Sequence, residues 1–259
     1  MAVLRQSGHV LPKLDYICRN FNRYLPMLAK ATLPRQKVKL AKVMRWAGVN
    51  ASAPLNILMR AASKNMHSNS YHHPWHTMTV MILSAILGRR AHIGQDEMDV
   101  LMTLALVHDL DHRGKMASPI VYQEEERSAK IATRRLFGCY SARAGQHHDL
   151  RSALCATAFG AKDHQIDDEV TALLVDADIL ASLIFPFDDV IKLTKGLKKE
   201  KGAKTPSDET LKAFLNATGK RGLQHDSTCA LAGALKARYM TVFHDPDVAR
   251  RLGFAQERS

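Results

Sequence analysis

The sequence predicts an all-α protein, on three observations. Apolar residues recur at spacings of three and four along most of the chain. No segment alternates apolar and polar residues as a half-buried strand would. Helix start signals (Ser, Asp, Pro) and stop signals (Gly) bracket the periodic stretches.

In order, Tyr16 to Ala29 reads as a mixed apolar helix interrupted at Pro26, and Pro34 to Trp46 as a second with a lysine-rich face. Gly48-Val49-Asn50 is a stop, and Pro54 opens a third helix through Ala62. Residues 1–66 are thus expected to form a basic helical N-terminal extension, and residues 67–259 the main domain. The next helix begins near His73-Pro74, because proline suits a first turn, and its stripe His76, Val80, Leu83, Leu87 leads to Gly88. Were that helix to reach His72, His72 and His76 would sit one turn apart. Gln95 to His112 follows, with Met98, Leu101, Ala105, His108 and His112 on one face and Gly114 as stop.

Ser118 caps a helix that carries Glu124, Glu125, Glu126 and Ser128 and ends near Phe137-Gly138. Asp149 caps Leu150 to Phe159, and Val170 to Phe185 is a strongly apolar helix. Lys192 to Lys204, with six lysines and two glycines, reads as a mobile basic loop. Ser207 to Ala217, Ser227 to Met240 and a segment from Asp245-Pro246 complete the helices.

Composition narrows the function classes. The chain has 259 residues, 46% of them apolar and 24% charged, enough for a sizeable core. Cys18, Cys139, Cys155 and Cys229 show no CxxC spacing, so they read as reduced thiols rather than a disulfide or zinc framework. No leader and no apolar run of membrane-spanning length is evident, which makes the cytoplasm the expected compartment and a membrane partner unexpected. A formal charge of +12 favours anionic partners: a small phosphorylated substrate first, with nucleic acid less favoured for want of interleaved aromatics.

The chemistry lies in a constellation. Leu101 to Gly114 ends an apolar run in His108-Asp109 and Asp111-His112; upstream is Tyr71-His72-His73-Pro74-Trp75-His76, and downstream Asp176-Ala177-Asp178. A lone inward histidine is more often a hydrogen-bonded core residue than a ligand, and His73, His147, His148, His164 and His225 are taken as such. The set His76, His108, Asp109 and one of Asp176 or Asp178 is different. Burying so many ionisable groups without a metal is costly. Two imidazoles and two carboxylates suit one or two divalent ions, Mn²⁺, Fe²⁺, Zn²⁺ or Mg²⁺. Asp176 and Asp178 lie about 200° apart on a helix, so only one faces the site, and periodicity does not choose. Such an ion activates water for attack on phosphorus, and the leaving alkoxide takes a proton from His72 or His112. Arg113, Lys115 and the loop lysines are available to hold phosphate charge.

On these residues the chain resembles the HD superfamily of metal-dependent phosphohydrolases, in particular its cyclic-nucleotide phosphodiesterase-like branch. Tyr71 to His76 resembles a YHNxxH motif with His73 for Asn; His108 to Gly114 resembles HDxDHxG. Glu125 to Ala129 is similar to the NExxSA stretch of small HD hydrolases, with Glu124 for Asn, and Asp176 to Leu180 to a DADxL pattern. The resemblance spans roughly Tyr71 to Leu183. It implies an HD-domain helical bundle with an N-terminal helical extension, His76, His108, Asp109 and Asp178 as metal ligands, His72 as proton donor, and His112 and Glu125 as further site residues. It implies hydrolysis of a nucleotide phosphoester. It names no substrate: the ENHH stretch of eukaryotic-type enzymes is replaced by Lys130 to Arg135, and no GYP signature occurs. The competing expectation is a catalytically silent, metal-containing module that senses a nucleotide or docks a partner.

Overall fold

The computed structural model describes residues 5–6, 9–10, 39–65, 69–114, 120–136, 149–158, 166, 168–182, 184, 187–202, 224–225 and 228. The predicted helices at Tyr16, Ser207, Ser227 and Asp245, the Ser118 cap and Lys115 lie outside the described residues.

The described part is helical apart from a two-residue antiparallel ladder, Arg5–Gln6 against His9–Val10. Eight helices are described: α1 (Leu40–Trp46), α2 (Ala53–Asn65), α3 (Pro74–Arg90), α4 (Gln95–Val107), α5 (Gln123–Leu136), α6 (Leu150–Cys155), α7 (Glu169–Ala181) and α8 (Phe187–Lys201). The centre is α3, which packs along α4 and α7, while α7 also touches α4. Every residue of α3 from Pro74 to Gly88 is buried, so its apolar residues lie all round the helix rather than on one stripe, with His76, Thr77, Thr79 and Ser84 buried among them. Gly88 is required by this packing: a Cβ there would come within 2.9 Å of Ile93 and Met98 side-chain carbons. The described part of the basic extension joins the same core, through Leu40, Val43, Met44, Leu55 and Leu58.

Local chemistry fixes the helix ends that bear on the site. Pro74 forces its predecessor out of the helical region, so His73 is extended and serves as the N-cap of α3. His72 therefore lies on the preceding loop rather than one turn back on a helix. The predicted helix to His112 stops earlier, at Val107. His108 caps it, a tight turn follows in which the Leu110 amide donates to the Val107 carbonyl, and Asp111 adopts a left-handed φ of 61°. Aspartate tolerates that region better than most residues, and helix cannot continue through it. Tyr122, with φ 69°, likewise delays α5 to Gln123. Asp149 caps α6 as predicted, although α6 ends at Cys155. Asp168 caps α7 through the Thr171 amide and hydroxyl, so α7 starts one residue before Val170 and stops at Ala181.

The largest correction concerns Lys192 to Lys204, predicted as a mobile loop. Through Lys201 it belongs to α8. Its lysines hid an inward stripe of Val190, Leu193, Thr194 and Glu200, all buried. Gly196 is a docking residue rather than a breaker: a Cβ there would stand 2.5 Å from the Ser70 carbonyl oxygen.

Candidate metal centre

Three elements converge below Tyr71. His76 comes from the first turn of α3, His108 and Asp109 from the end of α4, and Asp178 from α7. Asp109 Oδ2 stands 3.1 Å from His108 Nε2 and 3.4 Å from His76 Nε2, and the two Nε2 atoms are 3.5 Å apart. Asp178 Oδ1 joins from the far side, 3.2 Å from His76 Nε2 and 3.8 Å from His108 Nε2. Ligands bound at about 2.0–2.2 Å to one ion stand roughly 3.0–3.5 Å from one another, which is the spacing seen for each of these pairs except Asp178–His108.

A buried polar atom tests the fit. Asp109 Oδ2 is buried with no hydrogen-bond partner, despite its two imidazole neighbours. An orphaned carboxylate oxygen facing two ring nitrogens is what a cation would satisfy. The tautomer agrees. His108, 1% exposed, donates from Nδ1 to the Ala105 carbonyl at 2.8 Å, leaving Nε2 to face the cluster. Burial by itself would raise the Asp109 carboxyl, but His108, His72 and His76 hold it well below the usual carboxylate range. Burial also opposes charge on His108, yet Asp109 and Asp178 push that ring up to about 9. The buried His and Asp groups can hold a metal ion.

The two α7 aspartates sit in different surroundings. Asp178 faces the imidazoles. Asp176, fully buried, accepts the amides of Gln224 at 2.7 Å and His225 at 3.0 Å, on the other side of the helix. His225 in turn pairs with Glu169, away from the cluster.

Beside this set lies a second group, His72, His112 and Glu200. Glu200 accepts the amides of Tyr71 and His72, and its Oε2 lies 2.5 Å from His72 Nδ1. Two ligands of one ion do not approach so closely, so this is a hydrogen-bonded pair rather than a metal site. Burial disfavours charge on His72, but Asp109 and Glu200 outweigh it and the ring is held above its ordinary value. His112 stacks on His72, centroids 3.6 Å apart and planes 18° apart. Its Nδ1 accepts the Gly114 amide at 3.0 Å, and burial together with His72 pushes it down to about 4. At neutral pH His112 is therefore uncharged, with its proton on Nε2. Of the two histidines expected to donate a proton to the leaving group, His72 is the one whose charged form its neighbours favour.

Both loops are pinned. Asn69 donates to the His112 carbonyl at 2.8 Å. On the other side, α5 holds the 108–114 loop through three ties: Ser128 Oγ to the Leu110 carbonyl at 2.8 Å, Arg127 to Asp111, and Glu124 to the Arg113 guanidinium and amide. Arg113, expected to hold phosphate charge, is thus already paired. Tyr71 spans the site to Ser182, its phenol kept protonated by burial. Glu125 is half-buried and, unlike its neighbour Glu124, pairs with no arginine or lysine among the described residues. Burial first, then Asp109 and Asp178, push its carboxyl up, which puts it within electrostatic reach of the cluster.

Sequence reasoning missed Glu200, Asn69 and the structural role of Glu124. Glu200 had a signal, since it continues the inward stripe from Val190 and Leu193 at helical spacing. No helix among the described residues is long and apolar enough to cross a membrane. Compared with protein-family models the chain matches none, and a search of curated proteins gives no significant match.

Proposed function

We propose that the protein is a metal-dependent phosphohydrolase that cleaves a phosphoester of a nucleotide. The observation that carries this reading is the orphaned Asp109 oxygen among His76, His108 and Asp178, beside an imidazole whose Nδ1 Glu200 holds in a hydrogen bond. His76, His108, Asp109 and Asp178 would hold one divalent ion, with Glu125 within electrostatic reach of them. The chemistry such ions supply is activation of water and stabilisation of charge on phosphoryl oxygens.

The chain's own residues do the rest. As the P–O bond to the leaving group breaks, that oxygen takes a proton from His72 Nε2. Glu200 fixes the ring through Nδ1–H and favours its charged form, so the donor is oriented before the substrate arrives. His112, neutral, offers Nε2–H as a hydrogen-bond donor to a phosphoryl oxygen. The resemblance to HD phosphohydrolases supports the same roles for His72, His76, His108, Asp109 and Asp178.

Product formation from cyclic nucleotides, nucleoside monophosphates and a generic phosphodiester, with Mn²⁺, Mg²⁺, Zn²⁺ or Fe²⁺, tests this. Turnover by wild type and none by His108→Ala is the expected result. No turnover of any compound, with stoichiometric metal retained, would replace the enzyme by a silent nucleotide-sensing module.

A further inference from the structure

α8 has two faces of opposite use. Inward, Glu200 holds His72 and Gly196 seats the helix on Ser70. Outward, every charged residue after Asp189 is a lysine: Lys192, Lys195, Lys199 and Lys201 are exposed and Lys198 half-exposed. Among the described residues, Lys195, Lys198, Lys199 and Lys201 pair with no carboxylate.

A solvated helix face mixes signs, because like charges at i,i+3 and i,i+4 repel. Here Lys195–Lys199, Lys195–Lys198 and Lys198–Lys201 are all like-charged neighbours. Lysines in the last turn complement the helix dipole, which accounts for Lys198, Lys199 and Lys201 but not for Lys195, further up the helix. At about 100° and 1.5 Å per residue, Lys192, Lys195 and Lys199 form one ridge roughly 10 Å long. Its centre lies roughly 70° round the helix from Gly196, which rests on the loop leading into Tyr71 and His72. A ridge of that length spans two successive phosphates of an extended strand.

The recess of the metal set chooses the form of the strand. His76 and His108 are 5% and 1% exposed and the Asp109 and Asp178 side chains 13% and 23%, so a scissile phosphate must be carried inward to the set from the carboxylate side. A single, flexible strand does this and a duplex does not. With aromatics at 6% of the chain, recognition would run through phosphates rather than stacked bases.

We propose that the Lys192–Lys195–Lys199 ridge of α8 binds the phosphodiester backbone of a single-stranded oligonucleotide and delivers one of its phosphates to the metal centre. Delivery for hydrolysis rests on the proposed reaction; binding does not. The test is fluorescence anisotropy of a labelled single-stranded oligonucleotide of about twelve nucleotides on the full chain, titrated between about 50 and 200 mM salt. Lys195→Gln/Lys199→Gln is expected to weaken binding about tenfold and to lower the slope of log affinity against log salt by about 1.4, at ~0.7 per phosphate. Lys195→Arg/Lys199→Arg keeps both near wild type, and melting curves of the two variants control for folding. Unchanged affinity and slope in the glutamine variant would overturn the proposal. So would tighter binding to a duplex of equal length, or to phosphatidylserine vesicles, than to the single strand. If wild type hydrolyses no phosphoester yet the glutamine variant still loses affinity, the ridge stands and the enzymatic reading falls.

Discussion

His76, His108, Asp109 and Asp178 project from α3, α7 and the end of α4, whereas His72, His112 and Glu200 are gathered from two loops and a helix late in the chain. The first group is anchored by helices that pack most extensively among the described residues, and its Nε2 and carboxylate oxygen atoms are left facing one another. The second is anchored by hydrogen bonds, each of its members tied to a backbone amide or carbonyl by an explicit partner. The difference matches the tasks proposed for them. Metal ligands need fixed positions and free lone pairs; a proton donor needs a fixed ring, a partner for its second nitrogen, and a route to solvent.

The largest effect should come from removing the shared carboxylate. Asp109→Ala is expected to abolish metal retention, read by elemental analysis of the purified protein, and to cost more activity than the about 10–100-fold that loss of an outer partner costs. Retained metal and activity would remove Asp109 from the centre. The chelated protein carries a pH signature of the same cluster. His108 titrates at about 9 when folded, above its ordinary value, so it stabilises the fold fully below about 6.5 and that contribution is lost as pH rises through about 9. The melting temperature of chelated wild type should therefore fall from pH 6.5 to 9, and that of chelated Asp109→Ala should fall less. Metal displaces the same proton, so affinity for the ion should rise with pH across that window.

Glu200→Gln separates the two groups. Glutamine still accepts the Tyr71 and His72 amides but no longer offsets the charge on the His72 ring. Turnover is expected to fall by about 10²-fold, within the range of lost acid–base catalysis, with metal content unchanged. Loss of metal together with activity would mean that the two groups are one structural unit.

The same contrast explains how much was legible in the sequence. Each metal donor sits on an apolar stripe or beside one: His76 with Val80, Leu83 and Leu87, His108 with Met98, Leu101 and Ala105. Periodicity alone therefore turned them inward. It left Asp176 and Asp178 undecided, because both faces of α7 are buried, and only the resemblance or the structure separates them. His112 was placed on the His108 face by extending α4 through a residue, Asp111, whose left-handed turn depends on Arg127 and α5. Glu200 was hidden by composition. Lysines at Lys192, Lys195, Lys198, Lys199 and Lys201 outweighed four inward positions, and its partner lies 128 residues upstream, a pairing no local pattern specifies.

The smallest of these effects has the most informative sign. In an ordinary helix interior, Gly→Ala stabilises by about 1 kcal/mol, through propensity and chain entropy. At Gly196 the added methyl would meet the Ser70 carbonyl oxygen at 2.5 Å, a backbone atom that cannot swing aside. Overpacking of this kind costs about 1–3 kcal/mol, so the clash should win and Gly196→Ala should lower the melting temperature by roughly 3–8 °C. Because Ser70 precedes Tyr71, the displacement should reach His72 and reduce turnover by less than Glu200→Gln does, with metal content unchanged. A higher melting temperature with intact turnover would mean that α8 does not rest on this loop in solution. The assignment of Glu200 to the His72 pair and the lysine ridge beside it would then both lose their structural basis.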